Sequence, residues 1–213
     1  WNPAKGINII QIKKELSLYE TKSLLAALAF SALDNGRLTL DESFIISVLS
    51  NEMVKKGLQL ADANSNASSL LIQSTERAGL LIITGTGIYQ FTHRIFQEYL
   101  ASIALSDNEN YPKLVLERYK NDLWKESIRL SVARIARGTI IAAENILQVL
   151  LETQNPEGIL LAGSCLLEIM PIMNSELHQQ IIKSLEALIA DNQINESFIE
   201  QGRKILIKIH QAL

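Results

Sequence analysis

One histidine stands at the seam of YQFTHRIFQEYLASIAL, residues 89–105, where alternating strand-like residues give way to an apolar helix. His93 lies close to the free amides and the positive dipole end of that expected helix, a setting that favours an anion over an imidazolium. A neutral imidazole donating to a phosphate oxygen fits there. Local pattern alone favours a plainer role, in which the histidine ends the strand and meets solvent or a carbonyl.

The other residues capable of chemistry read more simply. Gly85-Thr86-Gly87 is a lone G-x-G with no helix start behind it, and so a hairpin turn rather than a phosphate loop. His93, His178 and His210 are far apart, and with one cysteine and no H-E-x-x-H they make no metal set. Asp41, Glu42, Glu117 and Glu126 stand where a cap or an exposed helical face would place a carboxylate anyway, so no acid–base pair is assigned. Trp124 is at helical spacing with Ile128 and Val132 and belongs to a core. Ser164 follows Gly163 in an apolar run without a G-x-S-x-G elbow. Cys165, in the apolar run from Ile159 to Met170, suits a small buried hydrophobe better than a reactive thiol. No catalytic residue and no metal ligand is expected.

The elements around these residues follow from pattern. Ser17 and Glu20 have capping-box spacing ahead of Leu24, Leu25, Leu28 and Ala29, which predicts a helix from about Leu18 to Leu33, stopped by Asp34-Asn35-Gly36. Arg37 to Leu40 reads as a short strand. Asp41 is placed to cap a second helix carrying Phe44, Ile45, Val48, Leu49 and Met53, which Gly57 ends in a left-handed conformation. The polar stretch Asp62 to Ser69 leads into a third helix over about Ala67 to Ala78. Two β-rich runs, Gly79 to Thr84 and Ile88 to Thr92, flank the G-T-G turn as a hairpin. The helix after His93 should bury Ile95, Phe96, Tyr99, Leu100 and Ile103 and leave Arg94, Gln97 and Glu98 outside, with Arg94 and Glu98 spaced for an i,i+4 pair. Three helices and then a hairpin is the order of a winged helix.

From Tyr111 onward the pattern is helical, broken at Gly138, Asn155-Pro156 and Pro171. Helices are expected near Pro112 to Arg118, Asp122 to Arg137, Ile140 to Glu152, Pro156 to Met170, Ser175 to Ala190 and Glu196 to Ala212. The last two carry one-sided apolar stripes, whereas Pro156 to Met170 is apolar nearly all round and needs neighbours on both sides. A stack of helical hairpins, armadillo-like or HEAT-like, meets that need. The fold class expected is therefore mainly α: a winged-helix domain with a small β-hairpin and an N-terminal linker over 1–106, then a helical repeat-like domain over 107–213.

Composition restricts the function classes. The 213 residues are 47% hydrophobic, enough for two cores, and the net charge of −3 arises from 20 Lys+Arg against 23 Asp+Glu without a block of like sign. Broad electrostatic capture of nucleic acid or anionic membrane is unsupported. The most apolar stretch, Gly158 to Met173, contains Glu168 and Pro171 and falls short of the ~20 apolar residues that cross a bilayer. A single cysteine suits a reducing compartment, and the cytoplasm is the expected location. Trp1 to Gln11 shows neither the basic nor the apolar region of a signal peptide, and the chain reads as a piece of a longer protein.

The run Ala-Gly-Leu-Leu at 78–81, followed by Tyr89 to Ala101, resembles the winged-helix segment of NACHT-family NTPases. These are STAND-class signalling ATPases that include NOD-like receptors and many bacterial defence proteins. Leu24 to Ala29 upstream, and Asp122 to Glu126 with the apolar helix behind it, are similar to that family's flanking helices, so the resemblance covers about Ile10 to Arg137. It implies a resting state in which the winged helix closes over ADP on the NTPase core, the histidine of F-x-H-x-x-F-Q-E-[YF] reaching a phosphate. By residue, that role falls on His93, while Phe91, Phe96 and Tyr99 fall on core positions. No G-x-x-x-x-G-K-[ST] occurs in this chain, so hydrolysis by it is not expected.

The resemblance thus implies a non-catalytic regulatory segment of a cytoplasmic NACHT-like ATPase, with ADP or ATP-Mg held by the NTPase domain of the same polypeptide. The helices would relay a signal or bind protein partners. Two alternatives stand beside it. One is a winged-helix nucleic-acid reader, disfavoured because Arg77 is the one basic residue of the expected recognition helix and the wing carries none. The other is a helical protein-binding adaptor with no nucleotide connection.

Overall fold

In the computed structural model, residues 16–169 and 175–212 are described. The Ser17 capping box forms: the Ser17 hydroxyl accepts from the Glu20 amide at 3.2 Å and the Glu20 carboxylate accepts from the Ser17 amide at 2.9 Å. It starts α1 (Leu18–Asp34), whose Leu24, Leu25, Leu28, Ala29, Ala32 and Leu33 are buried. β1 (Leu40–Asp41) is shorter and later than the Arg37 to Leu40 expectation. It leads into α2 (Glu42–Lys55), which ends at Gly57 with φ +95° and the Leu58 amide bonded to the Met53 carbonyl, the double-bonded left-handed cap that the sequence announced.

Two local expectations need correction. Asp41 is the residue before α2, but its carboxylate does not cap; it pairs with the Arg37 guanidinium at 2.9 Å, while the Glu42 amide donates to the Gly87 carbonyl on the hairpin. The third helix, α3 (Leu60–Glu76), begins seven residues earlier than Ala67, so the polar stretch is helical. Ala63, Ala67, Leu70, Leu71 and Ser74 form a buried stripe that packs on α2, and the Ser68 and Ser69 hydroxyls return to carbonyls four residues back, which lets polar residues stay in a helix.

β2 (Leu81–Gly85) and β3 (Ile88–Phe91) follow, antiparallel, with Leu81 opposite Phe91 and a register shift between Ile83 and Gly85. Gly85 belongs to the strand, so the connection is tighter than the three residues expected. β1 adds to β3, giving the sheet order β1-β3-β2. α4 (Arg94–Ser106) completes the winged helix.

The helices after it match their expected spans within a few residues: α5 (Tyr111–Arg118), α6 (Lys125–Gly138), α7 (Ile140–Glu152), α8 (Pro156–Ile169), α9 (Ser175–Ala190) and α10 (Glu196–Ala212). Met170, to which the helix expected from Pro156 extended, lies outside the described residues. Asn155 caps α8, its side-chain oxygen accepting from the Gly158 amide at 3.0 Å. The packing order is the informative feature. α1, α4, α6, α8 and α10 touch in succession as one row, while α5, α7 and α9 form a second row behind them. α8 therefore meets α6, α7, α9 and α10, which explains its all-round apolar character. The fold is a winged helix continued by an array of helical hairpins, and one hydrophobic core runs through both.

Candidate functional site

His93 is held from both sides by backbone. The Thr92 amide donates to Leu80 at 3.0 Å and the Thr92 hydroxyl to Gly79, which pins the end of β3 to the start of β2; beyond the histidine, the Phe96 amide donates to the His93 carbonyl at 3.0 Å. His93 has extended angles (φ −134°, ψ 139°) and occupies the residue before α4, yet its side chain makes no capping bond. The ring is exposed and its centroid lies 5.5 Å from that of Phe96, tilted at 59°. No acidic residue occupies the first turn of α4. The Arg94 and Ile95 amides, first in the helix, have no carbonyl of their own helix within reach. The exposed imidazole thus stands beside the amides that open α4.

The face that α4 buries is the expected one only in part: Leu100 and Ile103 are in the core, but the aromatic residues ahead of them are not. Phe91 is in the core at 6% exposure, as the motif requires, but Phe96 and Tyr99 are 37% and 45% exposed and Ile95 is 51% exposed. Gln97 and Glu98 are buried instead, together with Leu100, Ala101, Ser102, Ile103 and Leu105. The reason is that α4 is clasped by α1 on one side and α6 on the other. A second stripe, with small Ala101 and Ser102 allowing close approach, outcompetes the aromatic one. The buried polar groups are satisfied: Gln97 Nε2 donates to the Arg37 carbonyl at 3.2 Å, and Glu98 accepts from Arg94 Nε at 2.7 Å. The Arg94–Glu98 pair forms as spaced. Lys22 Nζ of α1 reaches Tyr99 Oη at 3.4 Å.

The remaining candidates do not converge. Asp41 is engaged with Arg37, Glu42 accepts from Tyr89 Oη at 3.5 Å, Glu117 lies beside Arg118, and Glu126 grips Arg129. Burial and Glu42 push the Tyr89 phenol above its usual range. Trp124 is fully buried in edge contact with Phe30, the Ser164 hydroxyl returns to Leu160, and burial pushes the Cys165 thiol up to about 12. Among the described residues no three His, Cys, Asp or Glu side chains gather in a way that could hold a metal.

Two features had no strong signal in the sequence. Arg118 donates twice to Asp34, at 2.7 and 2.8 Å, and lies over the rings of Phe30 and Trp124; only their types, not their spacing, hinted at it. A cleft of about 410 Å³ also opens among α6, α8 and α10, bordered by Lys125, Arg129, Glu157, Gln201 and Lys208. Its arginine is already engaged by Glu126 and Glu168.

A winged helix whose middle helix α3 contains no lysine or arginine is poorly equipped for a nucleic-acid backbone, since phosphate neutralisation supplies most non-specific affinity. The class is a winged helix-turn-helix module set on a helical array, with its free histidine on the last winged helix. Residues 6–105 match the family described as a winged helix-turn-helix domain C-terminal to NACHT. Comparison with curated proteins and with solved structures returned no match. No helix among the described residues is long and apolar enough to cross a membrane.

Proposed function

We propose that the chain is the regulatory segment of a cytoplasmic NACHT-like signalling ATPase, in which the winged helix closes over ADP bound to the neighbouring NTPase domain of the same polypeptide. His93 is the residue that meets the nucleotide. Its imidazole donates to a phosphate oxygen while the first amides of α4 add their partial positive charge. ADP or ATP-Mg belongs to the NTPase domain; this chain supplies a lid and no chemical step. Retaining ADP keeps the protein at rest, exchange for ATP releases the lid, and the helical array relays the change or receives protein partners.

The observation that carries this reading is the position of His93: exposed, making no capping bond, at the head of α4 in a domain that matches a family lying C-terminal to NACHT. The test is ADP release from the polypeptide that includes the NTPase domain, measured for wild type and His93→Ala. Loss of one charge-assisted hydrogen bond worth about 1.5–3 kcal/mol predicts release about 10- to 100-fold faster, together with oligomerisation at lower ATP. Unchanged release and unchanged oligomerisation remove the switch role.

A further inference from the structure

β2 is an outer strand in the sheet order β1-β3-β2, so one of its sides has no strand beside it. The Thr92 amide donates to the Leu80 carbonyl and the ladder continues with Ile82 opposite Gln90, which turns the backbone groups of Leu80 and Ile82 toward β3. The alternation turns the amides and carbonyls of Leu81 and Ile83 the other way, and among the described residues no hydrogen bond meets them there. Sheet edges are ordinarily blunted by a charge, a proline or a covering element. Residues 79–92 contain no charged residue and no proline, and Ile82 and Ile83 are 38% and 65% exposed. The register shift between Ile83 and Gly85 ends the open edge, which therefore spans 81–83. The opposite edge is no such template, since β1 is two residues long and its Asp41 is paired with Arg37.

A row of free backbone donors and acceptors takes an extended strand, and the composition of the edge says which. With no charge along it, nothing selects a foreign peptide of opposite sign, and like meets like without repulsion. The outward groups are also self-complementary. Placing a two-fold axis through Ile82, normal to the sheet, sets Leu81 of each copy opposite Ile83 of the other, so that the outward amides and carbonyls all find partners. The two Ile82 side chains then meet across the axis as a close, non-hydrogen-bonded pair of β-branched residues, the kind of cross-strand contact that stabilises a sheet. We propose that β2 pairs antiparallel with β2 of a second copy of this chain, centred on Ile82, joining two three-stranded sheets into one of six strands. The pairing uses neither His93 nor a nucleotide and is independent of the lid reading.

The register gives the test its specificity. In this pairing the two Ile82 Cα atoms lie about 4.5 Å apart, within disulfide reach, whereas the two Ile83 Cα atoms are offset by two residues and lie about 9 Å apart, beyond it. Cys165 is buried and does not compete. Under mild oxidation with copper-phenanthroline, the 213-residue chain carrying Ile82→Cys should form a dimer linked at position 82, at least about tenfold faster than the chain carrying Ile83→Cys. Chance collision predicts the opposite order, because Ile83 is the more exposed of the two. In sedimentation at about 10 µM to 1 mM, the affinity range of a small interface, the wild type should move toward dimer. Ile82→Lys, which sets two ammonium groups across the axis, should stay monomeric with an unchanged melting temperature in dilute solution, and Ile141→Lys on α7 should associate like the wild type. Linkage at 83 as fast as at 82, a wild type that remains monomeric throughout, or association untouched by Ile82→Lys overturns the pairing. An Ile82→Cys chain that resists oxidation to a dimer does so as well, and leaves the edge to an extended segment of another protein.

Discussion

Asp34→Ala isolates the contact that fastens the winged helix to the array. Arg118, the last residue of α5, donates Nε and Nη2 to the two Asp34 oxygens and Nη1 to Glu117 at 3.1 Å and to the Leu114 carbonyl at 3.1 Å. Its guanidinium carbon lies 5.0 Å from the Phe30 ring centre and 5.2 Å from that of Trp124. Hydrogen bonding to Asp34 raises the arginine's affinity for its proton more than burial lowers it, so the charge is permanent. Breaking a buried pair costs about 3–5 kcal/mol and an exposed one about 0–1 kcal/mol. Side-chain exposures of 14% for Arg118 and 33% for Asp34 put this pair between those limits. Arg118 keeps Glu117 after the substitution. Asp34 is moreover the C-terminal residue of α1, where the dipole disfavours a carboxylate by about 0.3–1 kcal/mol, and that penalty is relieved.

The net loss expected is about 2 kcal/mol, which for a chain of this length lowers the melting temperature by about 4–8 °C. Calorimetry or circular dichroism measures it directly. Arg118→Met alone and together with Asp34→Ala completes a double-mutant cycle whose coupling should be about 1–2 kcal/mol. A melting point for Asp34→Ala within a degree of wild type would show that the aromatic pair and Glu117 hold the guanidinium unaided, and the fastening role would be withdrawn.

Gly158→Ala should destabilise, although alanine is favoured over glycine in a helix by about 1 kcal/mol, because the added Cβ would collide with the Thr153 hydroxyl and stand 2.6 Å from the Leu150 carbonyl. Thr153→Ala in the same background should recover only part of the loss in a thermal melt, since the carbonyl cannot move aside; a rise in melting temperature for Gly158→Ala would contradict the packing. Cys165 should resist iodoacetamide at pH 8 until denaturant is added. Its thiol loses its proton near 9.0 when unfolded and only at about 12 when folded, so the folded state binds more protons between those values and stability should fall as pH rises through them.

Periodicity and punctuation carried most of the fold. The helix starts at Ser17 and Asn155 were legible because a short side chain and a backbone amide decide them locally, within three residues. Asp41 shows the limit of that logic: the cap was available, but Arg37 offered an ion, and that competitor cannot be seen from residues 41–44. Ala63 and Ala67 hid the start of α3, because alanines contribute little hydrophobic signal while still making a buried stripe. For the site, the place of His93 at the strand–helix seam was readable from type alternation. The orientation of α4 was not. Two apolar stripes of nearly equal merit lie along Arg94 to Ser106, and which of them turns inward depends on α6, a helix that begins only at Lys125.

α4 consequently answers to three neighbours at once. It is the final helix of the winged unit by its contact with α1, the link to the helical array by its contact with α6, and the carrier of His93 and the aromatic strip on the side that remains. Thirteen residues cannot satisfy three surfaces with apolar side chains alone, which is why Gln97 and Glu98 are buried with dedicated partners while Phe96 and Tyr99 are not. The arrangement has a mechanical consequence. Arg134 of α6 bonds Ser106 and Asp107 at the far end of α4, and Arg118 bonds Asp34 at the end of α1. A force applied at His93 therefore cannot rotate α4 by itself; it must either break those ties and expose the core around Leu100, Ala101 and Leu105, or carry α1 and α6 with it. Packed interiors resist the first, so under the proposed lid reading the second is the route by which an event at the imidazole would reach the helical array.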